Sequence, residues 1–355
     1  MTDVYDIAIE KAKSSKISTV DFSNLPFGKI FSDHMFTADY KNGEWTDLKI
    51  VPYADLQISP ALSALHYGQA IFEGLKAFRD DEDGINIFRP TANLARLNTS
   101  AERMCMPAMP EELFLEAISQ LVATDAAWVP NKPESSLYIR PVMFATDEYV
   151  GVHPSETYKF VIFTCPVGPY FSGAIKVKVE TTYSRSFEGG IGYAKAAANY
   201  GAAMFATRKA QEEGYNQVIW TDAKEHKYIE ESGTTNVMFV IDGVLITPPA
   251  KDTILKGVTR DSVLMLARAW NMKVEERKIS IDEIVDAIEN KTLTEVFGVG
   301  TAATIAQISE IGYKGINYVL TPAASRTFSN KALHTLNEMR IGKMPDTFGW
   351  NFKVK

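Results

Sequence analysis

The chain has 355 residues, 46% of them hydrophobic and 23% charged, a balance that excludes disordered and fibrous classes. Its formal net charge of -7 argues against a nucleic-acid surface, because phosphate backbones call for a basic field. The two cysteines, Cys105 and Cys165, and five scattered histidines form no zinc pattern, so no metal is expected. Acids at Asp3 and Asp6, and the lack of any run near about 20 apolar residues, point to an untargeted cytoplasmic chain with no membrane partner.

The length predicts about two domains of α/β (α+β) character. In the first half, strands are expected at Ile50 to Pro52, Ile85 to Phe88, Ser136 to Arg140 and Tyr158 to Cys165, with helices over Thr91 to Arg103 and Glu111 to Ala123. Pro166 to Gly173 is dense in Pro and Gly and breaks both patterns. We therefore assign a small N-terminal domain to 1–166, a linker to 167–174 and a larger C-terminal domain to 175–355.

Beyond the linker, Ile175 to Tyr183 alternates as a strand. The Ala-rich stretch from Ala196 to Glu213 is helical and stops at Gly214, a suitable residue for a left-handed cap. A strand follows at Gln217 to Thr221, then a hairpin in which Val237 to Ile241 and Val244 to Thr247 flank Asp242-Gly243, a dipeptide made for a type I′ turn. Gly257-Val258-Thr259-Arg260 opens a helix running to about Trp270, and Thr294 to Val299 is a strand entering Gly300-Thr301-Ala302-Ala303.

The second half has the parts needed for a phosphorylated, aromatic, electrophilic cofactor. Val258-Thr259 and Thr301-Ala302 are expected to open helices whose N–H groups and threonine hydroxyls turn toward one phosphate; singly, each threonine is more simply a helix cap. Lys195 lies between the Gly-rich segment Glu188 to Tyr193 and the Ala-rich helix, where apolar neighbours would desolvate an amine and favour Schiff-base formation. On its own such a lysine is a surface residue. Glu231, at a strand end before Ser232-Gly233-Thr234-Thr235-Asn236, could pair with a protonated ring nitrogen. No GxGxxG opens a helix after an early strand, which removes a dinucleotide-binding reading.

These residues, in this order, resemble the branched-chain amino acid aminotransferases, members of the class IV pyridoxal-phosphate fold group. The second-half signature is Glu231 to Val237, Leu245-Ile246-Thr247 and Leu255-Lys256-Gly257-Val258-Thr259-Arg260. Matching strings elsewhere include Phe27-Gly28, Leu65-His66-Tyr67-Gly68, Phe72-Glu73-Gly74-Leu75-Lys76-Ala77-Phe78, Tyr138-Ile139-Arg140-Pro141 and Phe297 to Ala302. Met238 stands where the signature usually has an aromatic, which a flexible side chain can replace by repacking. Ala303 and Ala306 occupy positions where some animal relatives carry a redox CxxC.

The resemblance implies a small α/β domain and a larger pseudo-barrel domain that binds pyridoxal 5'-phosphate, with Lys195 as Schiff-base lysine and proton shuttle. It implies cofactor contacts from Tyr200 to the ring hydroxyl oxygen and from Glu231 to the ring nitrogen. Arg96, Val258, Thr259 and Thr301 would hold the phosphate, with Arg185 and Ala302 in the same pocket. Phe27, Tyr67, Phe72, Tyr138, Tyr170 and, from the second subunit of a homodimer, Val152 would enclose an aliphatic side chain. Thr234 and the Ala302 backbone would take the α-carboxylate, and Arg140 with nearby tyrosine hydroxyls the distal carboxylate of glutamate or 2-oxoglutarate. The expected partners are amino acids and 2-keto acids; the alternatives on the same scaffold are a D-amino acid transaminase and an aminodeoxychorismate lyase.

Overall fold

The structure is a computed structural model that describes residues 5–354. It is a mixed α/β chain forming two compact units: one of residues 5–170, 194–198 and 337–354, the other of residues 171–193 and 199–336. Two segments that the sequence reading assigned to the C-terminal part, 194–198 and 337–354, thus belong with the first unit. Long-range backbone pairing puts them there, and local sequence carries no mark of it.

In chain order the first unit contains β1 (Ala8–Ile9), β2 (His34–Lys41), β3 (Glu44–Pro52), α1 (Ser63–Tyr67), β4 (Ala70–Phe72), β5 (Leu75–Arg79), β6 (Ile85–Phe88), α2 (Pro90–Arg103), α3 (Glu111–Thr124), β7 (Ser136–Ala145) and β8 (Tyr158–Val167). Both helices expected here form. The predicted strands also form, three of them longer than expected. Each extension is held by a partner strand: Pro141 to Ala145 of β7, for example, stays in register with Ile162 to Tyr158 of β8.

α3 buries Leu113, Phe114, Ala117, Ile118, Leu121 and Val122, spaced so that one helical face is apolar. That face packs on the sheet, with Phe114 and Phe36 ring centroids 6.4 and 6.3 Å from Phe160. α2 is different: beside Leu94, Leu97 and Ala101 it buries Asn93, Arg96 and Ser100, a polar stripe that requires internal partners.

The second unit adds β9 (Ile175–Val179), α4 (Ala197–Glu212), which begins in the short first-unit segment, β10 (Gln217–Thr221), β11 (Ile229–Ser232), β12 (Thr235–Ile241), β13 (Val244–Thr247), α5 (Val258–Ala269), β14 (Val274–Glu276), α6 (Ile281–Glu289), β15 (Leu293–Gly300), β16 (Thr304–Tyr313), β17 (Ile316–Val319) and α7 (Phe328–Arg340), whose last turn, from residue 337, is counted with the first unit. The order β11-β10-β9-β16-β15-β12, with β12 also paired to β11, closes six strands into a barrel, which leaves those strands no open edge. Val177, Ile219, Val237, Phe239, Val296 and Ile308 are buried together with Ile284 of α6. Met238 is fully buried, as the repacking argument requires.

Asp242 and Gly243 have φ of 47° and 75° and join β12 to β13 in the register Ile241↔Val244, the expected hairpin. Ser280 caps α6 by accepting a hydrogen bond from the Glu283 N–H. The strand expected to reach Tyr183 ends at Val179, because beyond it Glu180 turns its carboxylate onto the N–H groups of Thr182 and Tyr183. At the C-terminus β18 (Asn351–Lys353) pairs antiparallel with β6 of the first unit. Among the described residues no helix is long and apolar enough to cross a membrane.

Candidate active site

In the first unit the candidate residues Lys195, Phe72, Arg140, Tyr138, Phe27 and Tyr170 form a continuous series of contacts. The Lys195 Nζ stands 5.0 Å from the Phe72 ring centroid, and the Arg140 guanidinium carbon 4.7 Å from the same centroid. The Arg140 Nη2 donates to the Tyr138 hydroxyl at 3.0 Å. Tyr138 meets Phe27 edge to face at 5.1 Å, and Phe27 meets Tyr170 at 4.9 Å. Tyr138 and Arg140 are two positions apart on β7 and share a face.

Gly74 makes room for this arrangement. A Cβ there would lie 2.0 Å from the Tyr138 hydroxyl oxygen. The result is an aromatic enclosure with one guanidinium, able to receive an aliphatic chain and to pair a carboxylate. Beneath it, burial pushes the Cys165 thiol up to about 11, against the pull of Arg140, so the sulfur is a neutral packing group. On β5, burial together with Arg340 pulls the Lys76 ammonium down to about 7.

Lys195 is held through its backbone. Its N–H donates to the Ser100 Oγ at 2.8 Å, and its carbonyl accepts from the Phe72 N–H at 3.1 Å. Arg96 forms a two-point ion pair with Glu73: its Nε donates to Oε1 at 2.7 Å and its Nη2 to Oε2 at 2.8 Å. Sequence reasoning assigned no role to Glu73. Its signal was an acid in the apolar string from Phe72 to Leu75.

In the second unit Glu231 is buried near the end of β11. Its Oε1 accepts from the Asn236 Nδ2 at 3.0 Å and the Leu255 N–H at 3.2 Å, and its Oε2 faces the Arg185 Nη2 at 3.1 Å. Arg185 and Glu231 are thereby brought together, while the Arg185 Nε has no hydrogen-bond partner among the described residues. Sequence reasoning also passed over Glu230. Burial pushes its carboxyl up to about 7, Glu231 and Asp222 add to the shift, and Thr253 and Arg185 oppose it.

Val258 and Thr259 open α5 as expected, after Gly257, which has no side chain with which to cap the helix. A 12-residue helix presents its N-terminal amides and partial positive charge there. Thr301 and Ala302 do not open a helix: they lie in the turn of a hairpin, with Gly300 paired to Thr304 and Val299 to Ile305. The period-two pattern after Thr304 is that of a strand, and it overrides the cap signal of a single threonine.

Thr234 is exposed and Tyr200 half-buried in the second unit. Tyr67, 37% exposed at the end of α1, and Val152, 87% exposed in a loop, have no ring contact with the aromatic series among the described contacts of the first unit.

Each unit offers groups that suit pyridoxal phosphate: the first a lysine amine beside aromatic rings, the second a buried carboxylate paired with a guanidinium and a helix N-terminus suited to an anion. Residues 70–311 match the family model for class IV amino-transferases. Branched-chain-amino-acid transaminase 1 of Bacillus subtilis is 45% identical over 94% of this chain and 95% of its own length. The crystal structure of the branched-chain aminotransferase from Thermoproteus uzoniensis with norvaline superposes with a TM-score of 0.75 at 26% identity, covering 91% of this chain and all of that one. The branched-chain amino acid aminotransferase from Escherichia coli gives a TM-score of 0.73 at 26% identity, covering 91% of this chain and 99% of that one. On this full-length similarity, joined to the site residues above, the chain belongs to the branched-chain-amino-acid aminotransferases of the class IV aminotransferase family.

Proposed function

We infer that the protein catalyses reversible amino transfer between L-leucine, L-isoleucine or L-valine and 2-oxoglutarate, with pyridoxal 5'-phosphate held by Lys195. The observation that carries this reading is the contact series from Lys195 through Phe72, Arg140 and Tyr138 to Phe27 and Tyr170. It sets the Arg140 guanidinium and the Tyr138 hydroxyl among aromatic walls, which suits a site that must take an aliphatic chain in one half-reaction and a carboxylate in the other. When bound, the cofactor supplies an aldehyde that captures amines and a ring that stores the electron pair released at the substrate Cα.

The protein's own residues do the rest. The Lys195 amine would anchor the cofactor and carry the proton on and off the substrate Cα. Glu231 holds the ring-nitrogen proton, with Arg185 keeping its carboxylate oriented. Tyr200 donates to the ring hydroxyl oxygen. The phosphate would be held by Arg96, the amides of Val258 and Thr259, and the Thr301 hydroxyl.

Thr234 and the Ala302 amide take the α-carboxylate. Phe27, Tyr67, Phe72, Tyr138 and Tyr170 exclude water from the side chain, and Arg140 pairs the distal carboxylate. The exposed apolar Val152 is read as packing against a second copy, so the active form is a homodimer in the cytoplasm, each protomer completing the other's site.

The test is a visible spectrum of the pyridoxal phosphate-loaded protein before and after L-leucine. A yellow band that L-leucine discharges and 2-oxoglutarate restores supports the reading; a band unmoved by L-leucine but discharged by D-alanine or consumed with aminodeoxychorismate transfers it to the alternatives.

A further inference from the structure

Glu73 is completely buried, and burying an ionised carboxylate is costly without compensation. It has that compensation in full: Oε1 accepts from the Arg96 Nε, and Oε2 from the Arg96 Nη2, the Asn93 Nδ2 at 2.8 Å and the Gly74 N–H at 3.1 Å. Burial pushes the carboxyl up, but Arg96, Lys195 and Asn93 overcome it and leave it below the usual range. The charged groups acting on it are Arg96, from α2, and Lys195, from the segment before α4.

Two elements, α2 and the β4 strand that Glu73 directly follows, grip the Lys195 backbone. From α2, the Ser100 Oγ accepts from the Lys195 N–H and donates to the Arg96 carbonyl at 2.9 Å. From β4, the Phe72 N–H donates to the Lys195 carbonyl. Asn93, Arg96 and Ser100 lie at i, i+3 and i+7, one face of the helix, so a single stripe of α2 binds Glu73 at one end and Lys195 at the other. Phe72 and Glu73 are neighbours, so strand and helix are tied together beside the lysine.

We propose that Glu73 is a positioning residue for Lys195: it locks β4 to α2, the two elements that hold the lysine backbone, and maintains a negative charge beside its amine. This rests on the reading of Lys195 as the cofactor-bearing residue. An apolar residue of similar size would fill the space as well, but it would take away the carboxylate to which Arg96 and Asn93 of α2 donate and the negative charge that acts on Lys195. A negative charge favours the protonated form of a neighbouring nitrogen, so its removal is expected to move the pH profile of the visible band.

The experiment compares wild type, Glu73→Gln and Ser100→Ala, each loaded with pyridoxal phosphate. It records the pH midpoint of the visible band, kcat and KM for L-leucine, and Tm. Glu73→Gln keeps the shape and removes the charge, and is expected to lower the midpoint by about one pH unit. Ser100→Ala keeps the Glu73–Arg96 pair and removes the grip of α2; it is expected to lower kcat about tenfold while KM stays within about twofold.

A Glu73→Gln protein that loses Tm but keeps the wild-type midpoint overturns the proposal, because Glu73 is then only a strut. If Glu73→Gln does not fold, Ser100→Ala decides, and an unchanged kcat overturns it. Wild type that gains no visible band with pyridoxal phosphate refutes instead the cofactor reading beneath.

Discussion

Phe72 and Lys195 are joined twice: the Phe72 N–H donates to the Lys195 carbonyl at 3.1 Å, and the Lys195 Nζ stands 5.0 Å from the Phe72 ring centroid. The backbone bond fixes where the lysine leaves the chain, and the aromatic face attracts its cationic form. Because the Arg140 guanidinium lies over the same ring, the Lys195 amine and the Arg140 guanidinium share one apolar wall.

The first prediction concerns that amine. Lys195→Ala is expected to abolish the visible band formed with pyridoxal phosphate and to lower kcat by about 10²–10⁴-fold, the usual contribution of a positioned proton carrier. Absorbance and steady-state kinetics check it; a variant that keeps both band and turnover contradicts the assignment.

Tyr138→Phe removes the hydroxyl that accepts from the Arg140 Nη2 while leaving the ring against Phe27. KM for 2-oxoglutarate is expected to rise about tenfold, the equivalent of about 1.4 kcal/mol, with KM for L-leucine within about twofold. Gly74→Ala should affect both substrates, since its Cβ would lie 2.0 Å from the Tyr138 oxygen and displace the whole ring at a cost of about 1–3 kcal/mol. Parallel KM measurements on the two variants separate hydroxyl loss from ring displacement.

Glu230 predicts a pH dependence of stability. Its carboxyl, pushed by burial from 4.5 up to about 7, is penalised for ionising in the folded protein. The stability associated with its neutral form is present below 4.5 and is lost as pH rises through 7. Glu230→Gln cannot ionise, so its Tm relative to wild type is expected to be higher at pH 8.5 than at pH 5.5, by an amount equivalent to about 1–3 kcal/mol. Thermal melts at the two pH values check this, and an equal difference at both would discount the penalty.

The β12–β13 hairpin predicts a purely structural effect. Gly243 has φ of 75°, a conformation that costs an L-residue about 1 kcal/mol. Gly243→Ala is expected to lower the unfolding free energy measured by urea titration by that amount and to leave the visible spectrum unchanged; a shift in the band would tie the turn to the site.

The fold was legible where short-range chemistry decides. Asp242-Gly243 demanded a tight turn, Gly257 marked the start of α5, and the apolar spacing of α3 announced a helix with one buried face. Of the candidate site, Tyr138 and Arg140 were readable as a pair because strand geometry puts alternate residues on one face. Glu73 was not, because its partners lie a helix away at Asn93 and Arg96.

What the sequence alone determined was the order of local elements, the family resemblance, and the residue types offered to a phosphate, a ring nitrogen and an amine. Only the tertiary structure decided that Thr301 and Ala302 sit in a hairpin turn, that β18 returns to pair with β6, that Arg185 faces Glu231, and that Glu73 binds α2 beside Lys195. The division has a physical cause: caps, turns and periodicity act over a few residues and are written along the chain. Strand closure and the pairing of buried charges depend on which distant groups share the same water-poor space.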